Sequence, residues 1–243
     1  MNPNSSPTAL VPTERPRHGR IYSATRPVRL SDVTPKGRAR LDAVARYLQD
    51  IGNDDAVDAI GEDASAWVVR RTTLHVERFP VFREELKLAT WASGVGSRWA
   101  ERSTSIVGSE GGAIHATALW VHVDLQTGRP KRLPADFDRL YGEAAAGRAV
   151  SARLGHDDPP PADPVPWPAR FSDFDVLGHV NNAVYWAVVE EHFDLKAPVT
   201  FVLEYRGGID RGQTAGVVVE GESLWILADG AVAASARIIA DGL

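Results

Sequence analysis

Arg29-Leu30-Ser31-Asp32, with Gly37 five residues beyond the aspartate, returns as Arg170-Phe171-Ser172-Asp173 with Gly178, every position shifted by 141. A helical pattern follows each copy. Leu41, Val44, Ala45, Leu48 and Ile51 recur at helical spacing and predict an amphipathic helix over 39–51, and 180–195 fills the same place in the second copy. Strand patterns come next in both copies, over 67–78, 85–93, 100–107 and 112–124, then over 200–206, 214–221, 223–227 and 231–239. Val107 to Gly112 and Asp229-Gly230 are the hairpin turns in matching positions. A self-repeat of this length means that the chain folds as two similar units.

In each unit one long helix accompanies a run of antiparallel strands, so the sheet must curl around the helix to bury its apolar side. The expected fold is α+β, a tandem hotdog in which two antiparallel sheets each wrap a central helix. Residues 1–20, rich in Pro, Ser and Arg, predict a disordered tail; 21–133 and 167–243 are the two domains. Between them 134–166 is a linker, because Pro159-Pro160-Pro161 beside Asp157-Asp158 favours an extended crossing. Hotdog units pair and form sites where they meet. A tandem chain makes that pair internally, with homodimer formation left open.

A net charge of −5 argues against nucleic acid or an anionic membrane as partner. No run reaches the roughly 20 apolar residues of a membrane span. The chain has no cysteine, which rules out a thiolate zinc site and a cysteine nucleophile and fits a reducing cytoplasm.

The two copies of the turn differ in chemistry. Asp175, His179, Asn181 and Asn182 stand where the first copy has Thr34, Arg38, Arg40 and Leu41. Asp173 recurs as Asp32 and reads as a brace of the turn, whereas the reactive set exists once. A helix opening near His179 would offer backbone N–H groups at Gly178 and Val180 to an oxyanion. Asp175 would then act as base or nucleophile, with His179 and Asn181 orienting water or carbonyl. Thioesters suit this equipment, since sulfur conjugates weakly with the carbonyl and leaves as a thiolate. Two other chemistries fit the residue types: a divalent ion on Asp173, Asp175 and His179, and an aspartyl phosphotransferase on Asp173-x-Asp175. The strand before the latter, Pro166-Trp167-Pro168-Ala169-Arg170, is unlike that motif's β-branched lead-in. No cofactor and no metal are expected. The large apolar side chains Trp67, Leu74, Phe79, Leu86, Trp91 and Trp120 are candidates for an acyl tunnel in the first half, with ordinary core as the competing role.

Asp173-Phe174-Asp175-Val176-Leu177-Gly178-His179-Val180-Asn181-Asn182-Ala183-Val184-Tyr185 resembles the signature of the acyl-acyl carrier protein thioesterases, a tandem-hotdog family of plants and bacteria. Leu203-Glu204-Tyr205-Arg206 resembles the strand motif after it, and Tyr47-Leu48-Gln49, Trp67-Val68-Val69 and Thr90 to Gly94 resemble the first domain. The resemblance covers about residues 21–240. It implies hydrolysis of fatty acyl thioesters on acyl carrier protein, the acyl tail in the first hotdog, and catalysis by Asp175 and His179 with Asn181 nearby. Coenzyme A is the alternative carrier, and a non-catalytic acyl-binding hotdog the alternative class. An acidic carrier would need a basic patch, for which Arg129, Lys131, Arg132, Arg206 and Arg211 are candidates. Three departures stand out: Leu177 replaces a family asparagine, Gly208-Ile209 replaces a Glu-Cys pair of plant members, and Val188 replaces a tryptophan, with Trp186 beside Tyr185.

Overall fold

The computed structural model describes residues 13–61, 67–124 and 126–239. The first half of the chain forms β1 (Tyr22–Pro27), α1 (Leu41–Ile60), β2 (Trp67–Arg78), β3 (Glu85–Val95), β4 (Trp99–Gly108) and β5 (Ala113–His122). After α2 (Phe137–Ala145) the second half forms β6 (Val165–Pro166), α3 (Val184–His192), β7 (Val199–Tyr205), β8 (Ala215–Glu220), β9 (Ser223–Ala228) and β10 (Ala231–Ile239).

These strands make one antiparallel sheet in the order β1-β3-β4-β5-β2-β7-β10-β9-β8-β6. Each half repeats the same internal order, reversed about the centre. The two expected sheets are therefore joined: β2 pairs with β7 from Arg71 opposite Glu204 to Val76 opposite Val199. Pairing removes two strand edges that would otherwise face water. One apolar cluster runs through both halves, with Leu41, Val44, Tyr47 and Ile51 of α1 and Tyr185, Trp186 and Val189 of α3 against Leu74, Leu86, Phe201 and Leu203 of the strands. This is the layered burial that a hotdog repeat calls for.

Helix α1 continues nine residues past the expected end at Ile51. Gly52-Asn53-Asp54 reads locally as a stop, yet the next residue, Asp55, is 1% exposed and accepts from Arg102 Nη1 and Arg20 Nε, each at 2.6 Å. Tertiary ion pairs thus carry the helix through a weak stretch. The same contact fixes the end of the expected tail: Arg20 is held against α1, and residues 1–12 lie outside the described residues.

The segment 134–166, expected as a plain linker, holds α2 and then a strap fastened over the outer face of the sheet. Helix α2 packs Ala144 on Ala89 and Trp91, and Tyr141 and Ala145 on Ala92. Beyond it Trp99 Nε1 donates to Val150 O, Arg71 donates to Arg153 O, and Glu204 accepts from the N–H of Gly155 and His156. The prolines that follow suit an extended path with few backbone donors to satisfy.

Tyr47 of α1 donates to Asp32 Oδ2 at 2.7 Å in a buried contact, and burial followed by this bond pushes its phenol well above the ordinary tyrosine range. Removing a buried bond to a carboxylate costs about 2 kcal/mol. Tyr47→Phe is expected to lower unfolding stability by about that amount, read from urea denaturation.

Candidate active site

The turn that carries the signature is built twice on the same backbone. In the first half Thr34 N–H donates to Arg38 O, Gly37 N–H to Thr34 O, Ala39 N–H to Pro80 O and Arg40 N–H to Asp32 O. In the second half the donors 141 positions on repeat all four bonds, three of them to acceptors at the same shift: Asp175 to His179 O, Gly178 to Asp175 O and Asn181 to Asp173 O, with Val180 bonding to Ile209 O in place of a residue 141 beyond Pro80. Gly37 and Gly178 share a φ of 83°, the left-handed position that closes this kind of small hairpin and that glycine adopts without strain. Asp173 is buried and braces the turn by accepting from Arg170 N–H at 2.7 Å and from its guanidinium; Asp32 accepts from Arg29 N–H at 2.9 Å.

This geometry corrects the expected oxyanion site. Gly178 N–H and Val180 N–H are both engaged within the turn and to Ile209, so neither is offered to a ligand. His179 does not open the helix either: it lies in a one-residue bridge with Asp210, and α3 begins only at Val184. Asn181 instead forms the turn ahead of α3. Its Oδ1 accepts from Ala183 N–H at 2.9 Å and its carbonyl from Val184 N–H, a tight capped turn. With Asp173 committed to Arg170, the three-ligand ion site expected as an alternative lacks a ligand. Among the described residues no group of three His, Asp or Glu converges as a metal site.

Asp175 is half-buried and its Oδ1 accepts from Leu177 N–H at 2.9 Å. In the first half Thr34 Oγ1 makes the same contact with Lys36 N–H at 3.3 Å. A hydroxyl suffices for the turn, so the charge and the second oxygen of Asp175 are not required by the fold.

The residue missed by sequence reasoning is Asp210. Its Oδ1 lies 3.0 Å from His179 Nε2, with both side chains more than half exposed. Gly208 makes room for this pair, since a Cβ there would meet His179 Cγ at 3.3 Å. Gly208 thus lies under the imidazole, and the carboxylate beside it comes two residues later in the chain. Below them Tyr185 is 1% exposed; burial first, then the charges of Asp175 and Asp210, raise its phenol above the usual range.

A narrow cleft with about 30 Å³ of water-sized space, open to solvent at its mouth, lies between the halves. Its walls include Gln49 of α1, Thr72, Arg102 and Trp120 from the strands, and Asn182 and Trp186 at the start of α3. The chain passes from Asp175 and His179 on the exposed side of the turn to Asn182 and Ala183 in the cleft wall. Of the six tunnel candidates only Trp120 lines the cleft. Leu74, Phe79 and Leu86 belong to the core, Trp91 packs on α2, and Trp67 stacks with His122 and Phe137. Tyr205 braces the cleft by donating to Asn182 O and accepting from Trp186 Nε1. Arg206 is tied to Asp158 and His156 O, while Arg129, Lys131, Arg132 and Arg211 are exposed. No helix among the described residues is long and apolar enough to cross a membrane.

A joined double hotdog with an acid- and imidazole-bearing turn in its second half defines the class. Residues 19–141 match the acyl-ACP thioesterase N-terminal domain and residues 163–227 the acyl-ACP thioesterase C-terminal domain. The chain belongs to the acyl-ACP thioesterase family, and thereby to the thioester hydrolases. An uncharacterized protein of Mycobacterium tuberculosis is 31% identical over 210 residues, covering 84% of each chain. A chloroplastic dodecanoyl-[acyl-carrier-protein] hydrolase of Umbellularia californica is 26% identical over 218 residues, which are 78% of this chain and 56% of that protein. In fold, the 12:0-ACP thioesterase from Umbellularia californica superposes with a TM-score of 0.72 at 24% identity, covering 91% of this chain and 97% of that one. An acyl-ACP thioesterase from Bacteroides thetaiotaomicron gives 0.73 at 18% identity, covering 90% and 97%.

Proposed function

We propose that the chain hydrolyses fatty acyl thioesters carried on acyl carrier protein, in the cytoplasm, at one site per chain. The observation that carries this reading is the unequal pair of turns. The turn of Asp175 and His179, with Asp210 beside the imidazole, runs on to Asn182 in the cleft wall, and the twin turn in the first half has no acid–imidazole pair. Asp175 is the general base. It takes a proton from a water that His179 orients, and the oxygen of that water attacks the thioester carbonyl carbon. Collapse of the tetrahedral intermediate breaks the C–S bond; the thiolate leaves and recovers the proton, and the free acid departs. Asp210 positions the imidazole by holding Nε2, as a carboxylate orients histidine in other acyl-transfer sites.

A thiol-release assay on acyl carrier protein and coenzyme A esters of graded chain length tests this. Release from the carrier-protein esters is expected; release confined to coenzyme A esters would refute the carrier, and release from neither would refute the reading. Asp210→Ala is expected to lower kcat roughly 10-fold with KM and melting temperature unchanged, because both partners are exposed and contribute little to stability. A kcat equal to that of the unmutated chain would remove Asp210 from the site.

A further inference from the structure

The 141-residue shift relates Gln49 to Glu190 and Asn182 to Leu41. In the first half the position at the start of the helix is occupied. Glu190 reaches across from α3, and its Oε2 accepts from Leu41 N–H at 2.6 Å while its Oε1 pairs with Arg38 Nη1 at 2.7 Å. A carboxylate of the protein's own thus sits against a backbone N–H and against the side chain in the place of His179. In the second half the corresponding residues are Asn182 and Gln49, and both line the open cleft. There a neutral carboxamide stands where the first half has a carboxylate. An amide nitrogen donates hydrogen bonds, which a carboxylate cannot do.

We infer that the Gln49 carboxamide and the Asn182 backbone N–H together bind the thioester carbonyl oxygen, and that Glu190 is the built-in plug of the same position in the first half. The inference rests on the hydrolytic reading above and names its oxyanion donors, replacing the Gly178 and Val180 N–H groups that the turn uses for itself. It also connects the polar turn to the cleft. Arg38 reaches the second oxygen of the carboxylate whose first is held at Leu41 N–H, and the imidazole of His179 is shorter than that guanidinium side chain. The shortfall leaves space for a water beside a carbonyl held at Asn182, which is where the nucleophile is needed. Gln49 becomes a catalytic residue supplied by the first half to the chemistry of the second, so neither half alone completes the site.

Gln49→Glu tests this with almost no change of shape. It recreates the plug, removing a donor and placing a negative charge where the oxyanion forms. Loss of one such donor lowers kcat by roughly 100-fold or more, and that loss is expected here with an unchanged melting curve. As pH falls through the carboxylate range, protonation restores a donor, and the activity of Gln49→Glu relative to the unmutated chain should rise. A packing role for Gln49 would give no such pH dependence. A second measurement does not need turnover. Titration calorimetry compares a medium-chain pantetheine ketone, which keeps the carbonyl, with the matching thioether, which lacks it. The unmutated chain should bind the ketone about 10-fold more tightly and Gln49→Glu should bind the two alike. Equal binding of ketone and thioether by the unmutated chain, or undiminished kcat in Gln49→Glu, would overturn the assignment. Carbonyl-dependent binding without thiol release would uphold the carbonyl site and sink the hydrolytic reading.

Discussion

Asp175→Asn is expected to lower kcat for thioester hydrolysis about 10³-fold while leaving the melting temperature within a degree or so of the unmutated chain. The substitution keeps an oxygen for Leu177 N–H, the side-chain contact through which Asp175 serves the turn. Thr34 holds the twin turn with a hydroxyl alone, so loss of the charge is not a loss of fold. What disappears is a proton acceptor, and positioned general bases contribute 10²- to 10⁴-fold. Affinity for an uncleaved acyl analogue should persist, because the cleft wall is formed by other residues. Thiol release and calorimetry on the same preparation separate the two effects. An Asp175→Asn chain that turns over at the unmutated rate would remove Asp175 from the mechanism.

The second large effect concerns stability. Asp55 is 1% exposed and is the shared acceptor for Arg102 and Arg20, whose side chains are 18% and 24% exposed. Replacing it by Ala removes the acceptor the two guanidinium groups share, leaving Arg20 with Asp58 at 2.6 Å and Arg102 with Thr90 Oγ1 at 3.4 Å. Breaking a buried pair by removing one partner costs 3–5 kcal/mol, and the partial exposure of both arginines places Asp55→Ala near the lower end, about 3 kcal/mol. Denaturant unfolding should report that loss. Arg102 also lines the cleft, so its release should alter the preference among acyl chain lengths as well. A stability unchanged within about 1 kcal/mol would show that Arg20 and Arg102 find other partners.

Much of this architecture is legible in the sequence because it is written twice. The constant shift from Asp32 and Gly37 to Asp173 and Gly178 reappears as matched backbone hydrogen bonds, and every strand after each helix falls close to its expected place. The asymmetry of the turns is legible too, since Thr34 and Asp175 differ on an otherwise shared frame. Other features depend on contacts distant along the chain. The extension of α1 rests on Asp55 meeting Arg20 and Arg102, and the fastening of the strap rests on Glu204. The site itself is less legible in any one local stretch. Counting along 170–182 suggests a helix at His179, whereas the turn closes into a small hairpin that consumes the N–H groups of Gly178 and Val180. Asp210 enters from the end of β7 and Gln49 from the other half, each brought in by pairing between elements rather than by neighbouring sequence. Glu190 looks from sequence like a solvated helix end; across the interface it is the acceptor for Leu41 N–H.

The central claim is that chemistry belongs to the second turn alone. Thiol release from acyl carrier protein esters, measured side by side for the unmutated chain, Thr34→Ala and Asp175→Asn, tests it directly. Equal release by the first two and release at least 100-fold slower by the third is the predicted result. A chain that releases no thiol, or a Thr34→Ala variant as impaired as Asp175→Asn, would contradict it.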